Sequence, residues 1–212
     1  MGRYVVAGVC LLFVSSAQAD ESGFYVSGAA GQTFIAYPGV TTDLAVRQLK
    51  VAGVPVVTGV NSSYTRNPLA YRLYLGYQFD QYWALEGGYT DFGHVQYKAL
   101  VSTLLGGLYG SEVAGTTAWS MTAVGRYPLT DELKLVGKLG VARSKNTSQV
   151  VVLPAVVSMA GASDNLARTA VTFGFGLQYQ MTDNWEFRAD WDHFRASSTP
   201  LVVVSAGLTR RF

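Results

Sequence analysis

The sequence predicts an all-β protein, an eight-stranded antiparallel transmembrane β-barrel of the up-and-down type. Three observations predict it: an export signal at the N-terminus, a composition rich in aromatic residues and glycine, and segments of apolar–polar alternation joined by short polar turns. The chain has 212 residues, which is enough for one domain of this kind.

The first 19 residues have the features of a cleaved secretory signal peptide. Arg3 supplies a positive charge, residues 5–14 are apolar, and Ala17-Gln18-Ala19 forms a small-x-small cleavage site. The apolar run is too short to span a bilayer as a helix. We therefore expect residues 1–19 to be removed, residues 20–212 to form the barrel domain, and the protein to reach the cell outer membrane.

Composition excludes several function classes. The only cysteine, Cys10, lies in the expected signal peptide, so the mature chain has no disulfide and no cysteine metal site. A formal net charge of +2 disfavours a nucleic-acid partner, which calls for a strong basic excess. The sequence has 23 Gly, 13 Tyr, 10 Phe and 4 Trp, with only 14% charged residues, and this balance favours strands that face lipid.

Period-two alternation identifies the strands. Residues 71–79 carry Tyr, Leu, Leu, Tyr and Phe at odd positions, but Arg, Tyr, Gly and Gln at even positions. Residues 171–179 repeat this pattern with Val, Phe, Phe, Leu and Tyr against Thr, Gly, Gly and Gln. A strand that lies between lipid and a barrel lumen has one face of apolar residues and one face of polar or small residues.

A spacing repeat places the turns. Tyr77 precedes Trp83, Tyr127 precedes Leu133, and Tyr179 precedes Trp185, each by six residues and each across a polar segment. Short turns are typical of the periplasmic side of such barrels. The predicted strands are 23–35, 69–79, 82–94, 116–127, 132–145, 167–180, 185–195 and 201–212. The predicted outer connections are 36–68, 95–115, 146–166 and 196–200.

Aromatic residues fall at both ends of these strands, on the parity that faces lipid. Amphipathic rings prefer the depth of the lipid headgroups, so we expect two aromatic girdles. A soluble β-sandwich with aromatic core faces is the alternative, which the export signal and this placement disfavour. The periplasmic girdle comprises Tyr77, Trp83, Tyr127, Tyr179, Trp185 and Phe212, and the outer girdle comprises Tyr71, Tyr89, Trp119 and Trp191.

Three stretches of the chain resemble the transmembrane domain of the outer membrane protein A (OmpA) family. The resemblance implies an eight-stranded barrel with a polar, filled interior, a mainly structural role, and the small-pore activity and surface recognition of relatives. Relatives often carry a periplasmic peptidoglycan-binding domain after the barrel, which we do not expect here after Phe212, and the outer loops of this chain are unusually apolar. The stretches are 75–78 with 86–93, then 122–123 with 127–133 and 139–140, and 174–179 with Thr182 and Arg188; residues 205–212 resemble the last strand.

Charged residues on the lumen parity are the candidate functional residues. Glu86 lies three positions after Trp83 and Arg188 three after Trp185, so we expect them at one depth and able to pair. The resemblance implies that a glutamate and an arginine at these positions form part of an interior gate. Lys138 matches a family arginine, whereas Val124 replaces a family lysine. The expected ion-pair or gate set is Glu86, Arg188, Lys138, Asp190 and Arg72; Arg126, Lys134, Glu186, Asp192 and Arg211 share its parity.

Two interpretations of this set remain open at the sequence level. One is a switchable plug that opens the lumen. The other is a static core network, which we favour because an eight-stranded barrel is only wide enough for side chains to fill it.

Catalysis and metal binding are not expected. The chain has two histidines, His94 and His193, too few for a typical metal centre. Asp192, His193 and Ser197 suggest a lipid A deacylase, another eight-stranded barrel type, but Arg195 stands where its serine would be. We therefore expect no enzyme activity, no cofactor and no metal.

The outer loops contain apolar segments at 51–60, 99–109 and 150–160. Either strands continue above the membrane, or an apolar surface meets lipid, lipopolysaccharide or a partner protein. We expect a structural outer-membrane protein with small-pore activity, and as alternatives surface recognition through these loops or a lipid A-modifying enzyme. The expected partners are outer-membrane lipid, lipopolysaccharide and, during assembly, the barrel-insertion machinery.

The C-terminus carries the expected assembly signal. Phe212 ends an alternating strand in which Leu208 faces lipid, as in the C-terminal signal that the insertion machinery reads. Arg210 departs from this signal, since an aromatic residue is usual there.

Overall fold

Nine β-strands follow one another along the described parts of the chain. The computed structural model describes residues 22–35, 57–64, 67–103, 106–153, 167–196 and 199–212; the expected signal peptide lies outside these ranges. No helix among the described residues is long and apolar enough to cross a membrane. The strands are β1 (Gly23–Ile35), β2 (Val57–Tyr64), β3 (Leu69–Gln78), β4 (Trp83–Thr103), β5 (Gly106–Pro128), β6 (Leu133–Leu153), β7 (Arg168–Gln180), β8 (Trp185–Ala196) and β9 (Thr199–Arg211).

Eight of these strands form a closed antiparallel barrel. Their order around the wall is β1-β3-β4-β5-β6-β7-β8-β9, and β1 pairs with β9 to close the ring. A closed ladder gives every strand two hydrogen-bonded neighbours, which is required where the backbone is surrounded by lipid. The predicted fold class is confirmed.

The ninth strand, β2, continues the line of β3. Tyr64 of β2 lies opposite Tyr97, and Tyr71 of β3 lies opposite Asp91, both on β4 and both antiparallel. The break between them contains Asn67, which has a φ of 53°. The prediction that residues 36–68 form one connection is therefore wrong for 57–64, because these residues extend the second barrel strand beyond the break.

A bulge in β4 lies beside this break. The pairing of β4 with β5 shifts register between Asp91 and His94, and Gly93 has a φ of 78°. Only glycine fits there, because a Cβ atom would overlap the carbonyl oxygen of Leu69 and left-handed backbone disfavours other residues. Such a bulge adds one residue to one strand of the pair and bends it.

Tight turns occupy the three positions where the six-residue spacing predicted them. The backbone N–H of Phe79 donates to the Trp83 carbonyl at 2.9 Å, and Met181 donates to Trp185 at 2.9 Å. In the first turn, Asp80 Oδ1 accepts from the N–H of Trp83 at 2.8 Å. Thr130 and Thr182 hydroxyls cap the other two turns in the same way. Local side-chain hydrogen bonds explain the spacing repeat.

The predicted outer connections at 95–115 and 146–166 are too long. β4 and β5 continue to Thr103 and from Gly106, and β6 continues to Leu153. The connection predicted at 196–200 is likewise shortened, since β8 ends at Ala196 and β9 begins at Thr199. Beyond the membrane neither face of a strand meets lipid, so the pattern of apolar outward residues that marked the strands ends while the backbone ladder continues.

The girdle residues lie on the outer surface of the barrel. Trp119 is 69% and Tyr127 65% exposed, as expected for rings that meet lipid. Tyr77 and Tyr89 are half-buried because they pack against outward aromatic neighbours, Tyr77 against Phe24 at 4.9 Å and Tyr89 against Trp119 at 5.0 Å between ring centroids. Tyr71, Trp83, Tyr179, Trp185 and Phe212 are exposed, and Trp191 stacks on Phe175.

The orientation of the barrel can be tested by cysteine labelling. Thr147 is exposed on β6 beyond the outer girdle, and Asp131 is exposed in a tight turn. In intact cells, a membrane-impermeant maleimide should label Thr147→Cys and should leave Asp131→Cys unlabelled until the outer membrane is permeabilised. The opposite pattern would show that the tight turns face outwards.

Removing Phe212 should lower the yield of inserted barrel. Its N–H donates to the Phe24 carbonyl at 3.0 Å, at the seam where β9 closes on β1. The deletion removes this bond together with the expected assembly signal. Heat-modifiable mobility in membranes measures the yield, and Phe79→Ala, which truncates an exposed aromatic residue in a turn, is the control. Equal yields for the deletion and the wild type would contradict the prediction.

Candidate functional site in the barrel lumen

Charged side chains fill the lumen, and small inward-facing residues on neighbouring strands make room for large side chains. Arg72, Glu86, Arg126, Lys138, Glu186, Arg188, Asp190 and Asp192 are buried inside the barrel, and Lys134 and Arg211 are half-buried. Glycines on neighbouring strands make this possible: a Cβ atom at Gly174 would overlap the Asp192 carboxylate, and one at Gly76 would overlap the ring of Tyr25.

A salt bridge between Glu86 and Arg188 crosses the lumen. β4 and β8, which carry the two residues, lie four positions apart in the eight-strand ring and so face each other. Arg188 Nη1 lies 3.0 Å from Glu86 Oε1, and Nη2 donates to Oε2 at 3.4 Å. Both side chains are fully buried. Tyr25 Oη donates to Glu86 Oε1 at 2.9 Å, and Arg188 Nη1 donates to Ser27 Oγ at 3.1 Å.

From this salt bridge a chain of alternating charges runs towards the outer end. Arg188 Nε lies 2.8 Å from Asp190 Oδ2, and Lys138 Nζ lies 2.7 Å from Asp190 Oδ1. Lys138 also approaches Asp192 at 3.4 Å, and Arg72 binds Asp192. In order the chain is Glu86, Arg188, Asp190, Lys138, Asp192 and Arg72, three acids and three bases, so its formal charges cancel. We call these six residues the charge chain.

An aromatic ring supports the three bases of the charge chain. The Tyr74 ring centroid lies 4.7 Å from the Arg188 guanidinium, 4.9 Å from that of Arg72 and 5.5 Å from Lys138 Nζ. Cations over a ring face are attracted by its quadrupole. The even-numbered position of Tyr74 predicts that it faces the lumen but predicts no role for it. The expected ion-pair set does not include Asp192.

An apolar layer closes the lumen beyond the charge chain. Phe92 and Phe194 meet edge to face, with ring centroids 5.0 Å apart and planes at 85°. The Phe92 carbonyl accepts a hydrogen bond from Thr33 Oγ1 at 2.9 Å. Sequence reasoning considered only charged lumen residues and missed this layer, although Phe92 and Phe194 share the parity of their charged neighbours. The layer comprises Ala70, Phe92, Ala118, Ala142, Phe194, Leu201 and Val203.

The periplasmic end of the lumen has a second charged group. Arg211 Nη2 lies 3.0 Å from Glu186 Oε1, and Lys134 Nζ lies 3.9 Å from the same oxygen. Arg211 Nη2 also donates to Gln78 Oε1 at 2.7 Å, and Arg126 Nη1 donates to that oxygen too. The Arg126 guanidinium lies 4.9 Å from the Tyr25 ring centroid. Tyr25 therefore connects this group to Glu86 in the charge chain.

The residues considered for catalysis are not brought together. Asp192 points into the lumen, where Arg72 and Lys138 bind it. His193 lies on the opposite face of β8 and stacks on Phe173, with ring centroids 4.8 Å apart. Ser197 lies outside the described residues. Within the described ranges there is also no group of three His, Cys, Asp or Glu residues that could hold a metal ion.

Solved structures of bacterial outer-membrane proteins resemble this barrel. The attachment invasion locus protein Ail of Yersinia pestis has a TM-score of 0.53 and 17% identity, over 90% of this chain and 99% of that one. The outer membrane protein OprG of Pseudomonas aeruginosa has a TM-score of 0.50 and 12% identity, over 91% of this chain and 97% of that one. At these identities the likeness shows the fold alone.

The family is shown by the sequence profile of the OmpA-like transmembrane domain, which matches residues 19–197. A comparison with curated proteins found no match. The profile covers most of the chain, and the solved barrels share its fold. This chain belongs to the OmpA-like transmembrane domain family of outer-membrane β-barrel proteins.

Proposed function

We propose that this protein is a structural component of the outer membrane whose lumen is closed to ions at rest. The observation that carries the proposal is that two barriers lie in series inside the barrel. The charge chain fills the centre, and the apolar layer around Phe92 and Phe194 fills the outer part.

Each barrier opposes ions for a different physical reason. In the charge chain every charged group has an oppositely charged partner, and breaking a buried pair leaves an uncompensated charge. In the apolar layer an ion would lose most of its hydration among apolar side chains, with few polar groups to replace the water. An eight-stranded barrel is just wide enough for side chains to fill it, which supports a closed lumen at both layers.

Small-pore activity would require both layers to move. Arg188 already contacts Glu86 and Asp190, and Lys138 already contacts Asp190 and Asp192. An exchange of partners within the charge chain is therefore a small rearrangement. Such an exchange leaves Phe92 and Phe194 in place, so the proposed resting state is non-conducting even when the central salt bridge opens.

A second candidate function is recognition at the cell surface, which the length of the strands favours. From Tyr89 in the outer girdle, β4 continues to Thr103, which at about 3.3 Å per residue is roughly 45 Å. There β4 pairs with β5, β5 pairs with β6, and β2 pairs with β4. This projecting sheet contains the described parts of the apolar sequence segments, 99–103, 106–109 and 150–153, and extended apolar segments outside the membrane fit a partner surface.

Lipopolysaccharide is the proposed lipid partner of the outer rim. Arg143 is exposed and lies opposite the exposed Trp119 in the ladder between β5 and β6. Lys145 is exposed two residues further along β6. Cationic side chains at the depth of an aromatic girdle are well placed to bind lipid phosphates.

The central salt bridge should stabilise the barrel as a coupled pair. Arg188→Ala and Glu86→Ala should each lower the free energy of unfolding by about 3–5 kcal/mol, because each leaves the buried charge chain with one uncompensated charge. The double variant should be less destabilised than the sum of the two single variants, with a coupling of about 0.5–3 kcal/mol. Urea unfolding in lipid vesicles provides the measurement, with the exposed Arg143→Ala as control. Strictly additive single effects would show that the pair does not act as a unit.

The two barriers can be separated by single-channel recording in planar bilayers. The wild type, Arg188→Ala alone, and Phe92→Ala with Phe194→Ala should all lack conductance steps, because one barrier remains in each. The triple variant should conduct. Steps in Arg188→Ala alone would show that the apolar layer is no barrier, and steps in the wild type would overturn the proposed closed state.

A further inference from the structure

A cavity opens at the periplasmic end of the barrel, below the charge chain. Its volume is about 470 Å³, within the size range of ordinary small-molecule pockets. It lies between the turn that follows β3, the turn that follows β5 and the end of β9. Its lining comprises Gln78, Gln81, Pro128, Leu129, Thr130, Asp131, Lys134 and Arg211.

Cationic side chains surround the inner side of this cavity. Lys134 and Arg211 line it directly, and Arg126 is linked to it because Arg126 and Arg211 both donate to Gln78 Oε1. Glu186 is the buried carboxylate that both Arg211 and Lys134 approach. Asp131, in the turn at the rim, is exposed to solvent. Two cations therefore line the cavity, the third adjoins it through Gln78, and one buried carboxylate lies behind them.

Arg126 and Arg211 hold their positive charges close together, and each has at least one N–H group without a hydrogen-bond partner. Both guanidiniums converge on one amide oxygen of Gln78, which places like charges near each other at an energetic cost. Arg126 is 3% exposed, yet its Nε and Nη2 have no hydrogen-bond partner, and Nε of Arg211 has none either. Buried donors of this kind are rarely left unpaired in folded proteins.

We propose that this cavity binds a soluble oxyanion from the periplasm, of the phosphate or carboxylate class. A guanidinium presents several N–H donors in a fixed plane, which suits the oxygens of such an anion. Arg126 and Arg211 supply the donors, and the anion offsets the repulsion between them. Lys134 adds positive charge at the mouth. The inference does not depend on whether the lumen conducts, because the site opens to the periplasm beneath both barriers.

Binding of inorganic pyrophosphate to the purified barrel tests the site. In a zwitterionic detergent at low ionic strength, isothermal titration calorimetry should show saturable binding of one anion per barrel. Arg126→Gln should weaken it at least tenfold, because this variant removes a buried charge beside Gln78 together with its two unpartnered donors. Lys134→Gln, at a half-buried position, is a second variant and should weaken binding several-fold. Heat-modifiable mobility verifies that each variant is folded.

Arg195→Gln is the matched control. It removes the same charge from an exposed position near the end of β8, at the opposite end of the barrel from the cavity, and should leave the affinity unchanged. Absence of saturable binding, unchanged affinity in both Arg126→Gln and Lys134→Gln, or an equal loss in Arg195→Gln would overturn the proposal. Phosphatidylglycerol added to the micelles should not compete with pyrophosphate; competition would assign the site to a lipid headgroup and overturn the soluble source.

Discussion

The narrow interior of the barrel is the constraint on which the rest of this structure depends. Eight strands enclose a lumen that side chains must fill, and lipid outside forces the polar residues inwards. Inward side chains fit beside small residues on neighbouring strands, as Tyr25 does beside Gly76 and Asp192 beside Gly174. Burial then forces each charge to find a partner, so the ring of strands dictates an ordered line of acids and bases.

This constraint also divides the lumen into three zones along its axis. The central zone is electrically balanced, the outer zone is apolar, and the periplasmic zone combines three cations with one buried carboxylate. Tyr25 joins the central and periplasmic zones, because its hydroxyl donates to Glu86 and its ring packs against the Arg126 guanidinium.

The wall of the barrel was largely readable from the sequence. Lipid imposes a strict period of two, so parity identified the face of each strand, and the six-residue spacing identified the turns that Asp80, Thr130 and Thr182 cap. Parity and equal distance from the turns also put Glu86 and Arg188 at one depth, where the structure joins them.

The strand extensions, β2 and the contacts inside the lumen could not be predicted from the period-two pattern of the sequence. Beyond the girdle no lipid face exists, so outward positions need not be apolar: on the extension of β4 the exposed positions include His94, Gln96 and Lys98. The sequence therefore predicts loops where β4, β5 and β6 continue. β2 escaped detection because it is cut off from β3 by an irregular break at Asn67. The apolar layer and the role of Tyr74 were missed for a different reason. Parity gives the face and depth of a side chain, but its contacts depend on which rotamers fit among the neighbours that surround it.

The bulge at Gly93 marks the point on β4 where the outward-facing and inward-facing positions exchange. Below it, the odd-numbered Tyr89 and Asp91 face outwards, whereas above it His94 and Gln96 are the exposed positions. The extra residue thus resets which positions point outwards, since a shift of one residue exchanges the two faces of a strand. Consequently the even-numbered positions of β4, which face the lumen below the bulge, are the exposed positions at the start of the projecting sheet.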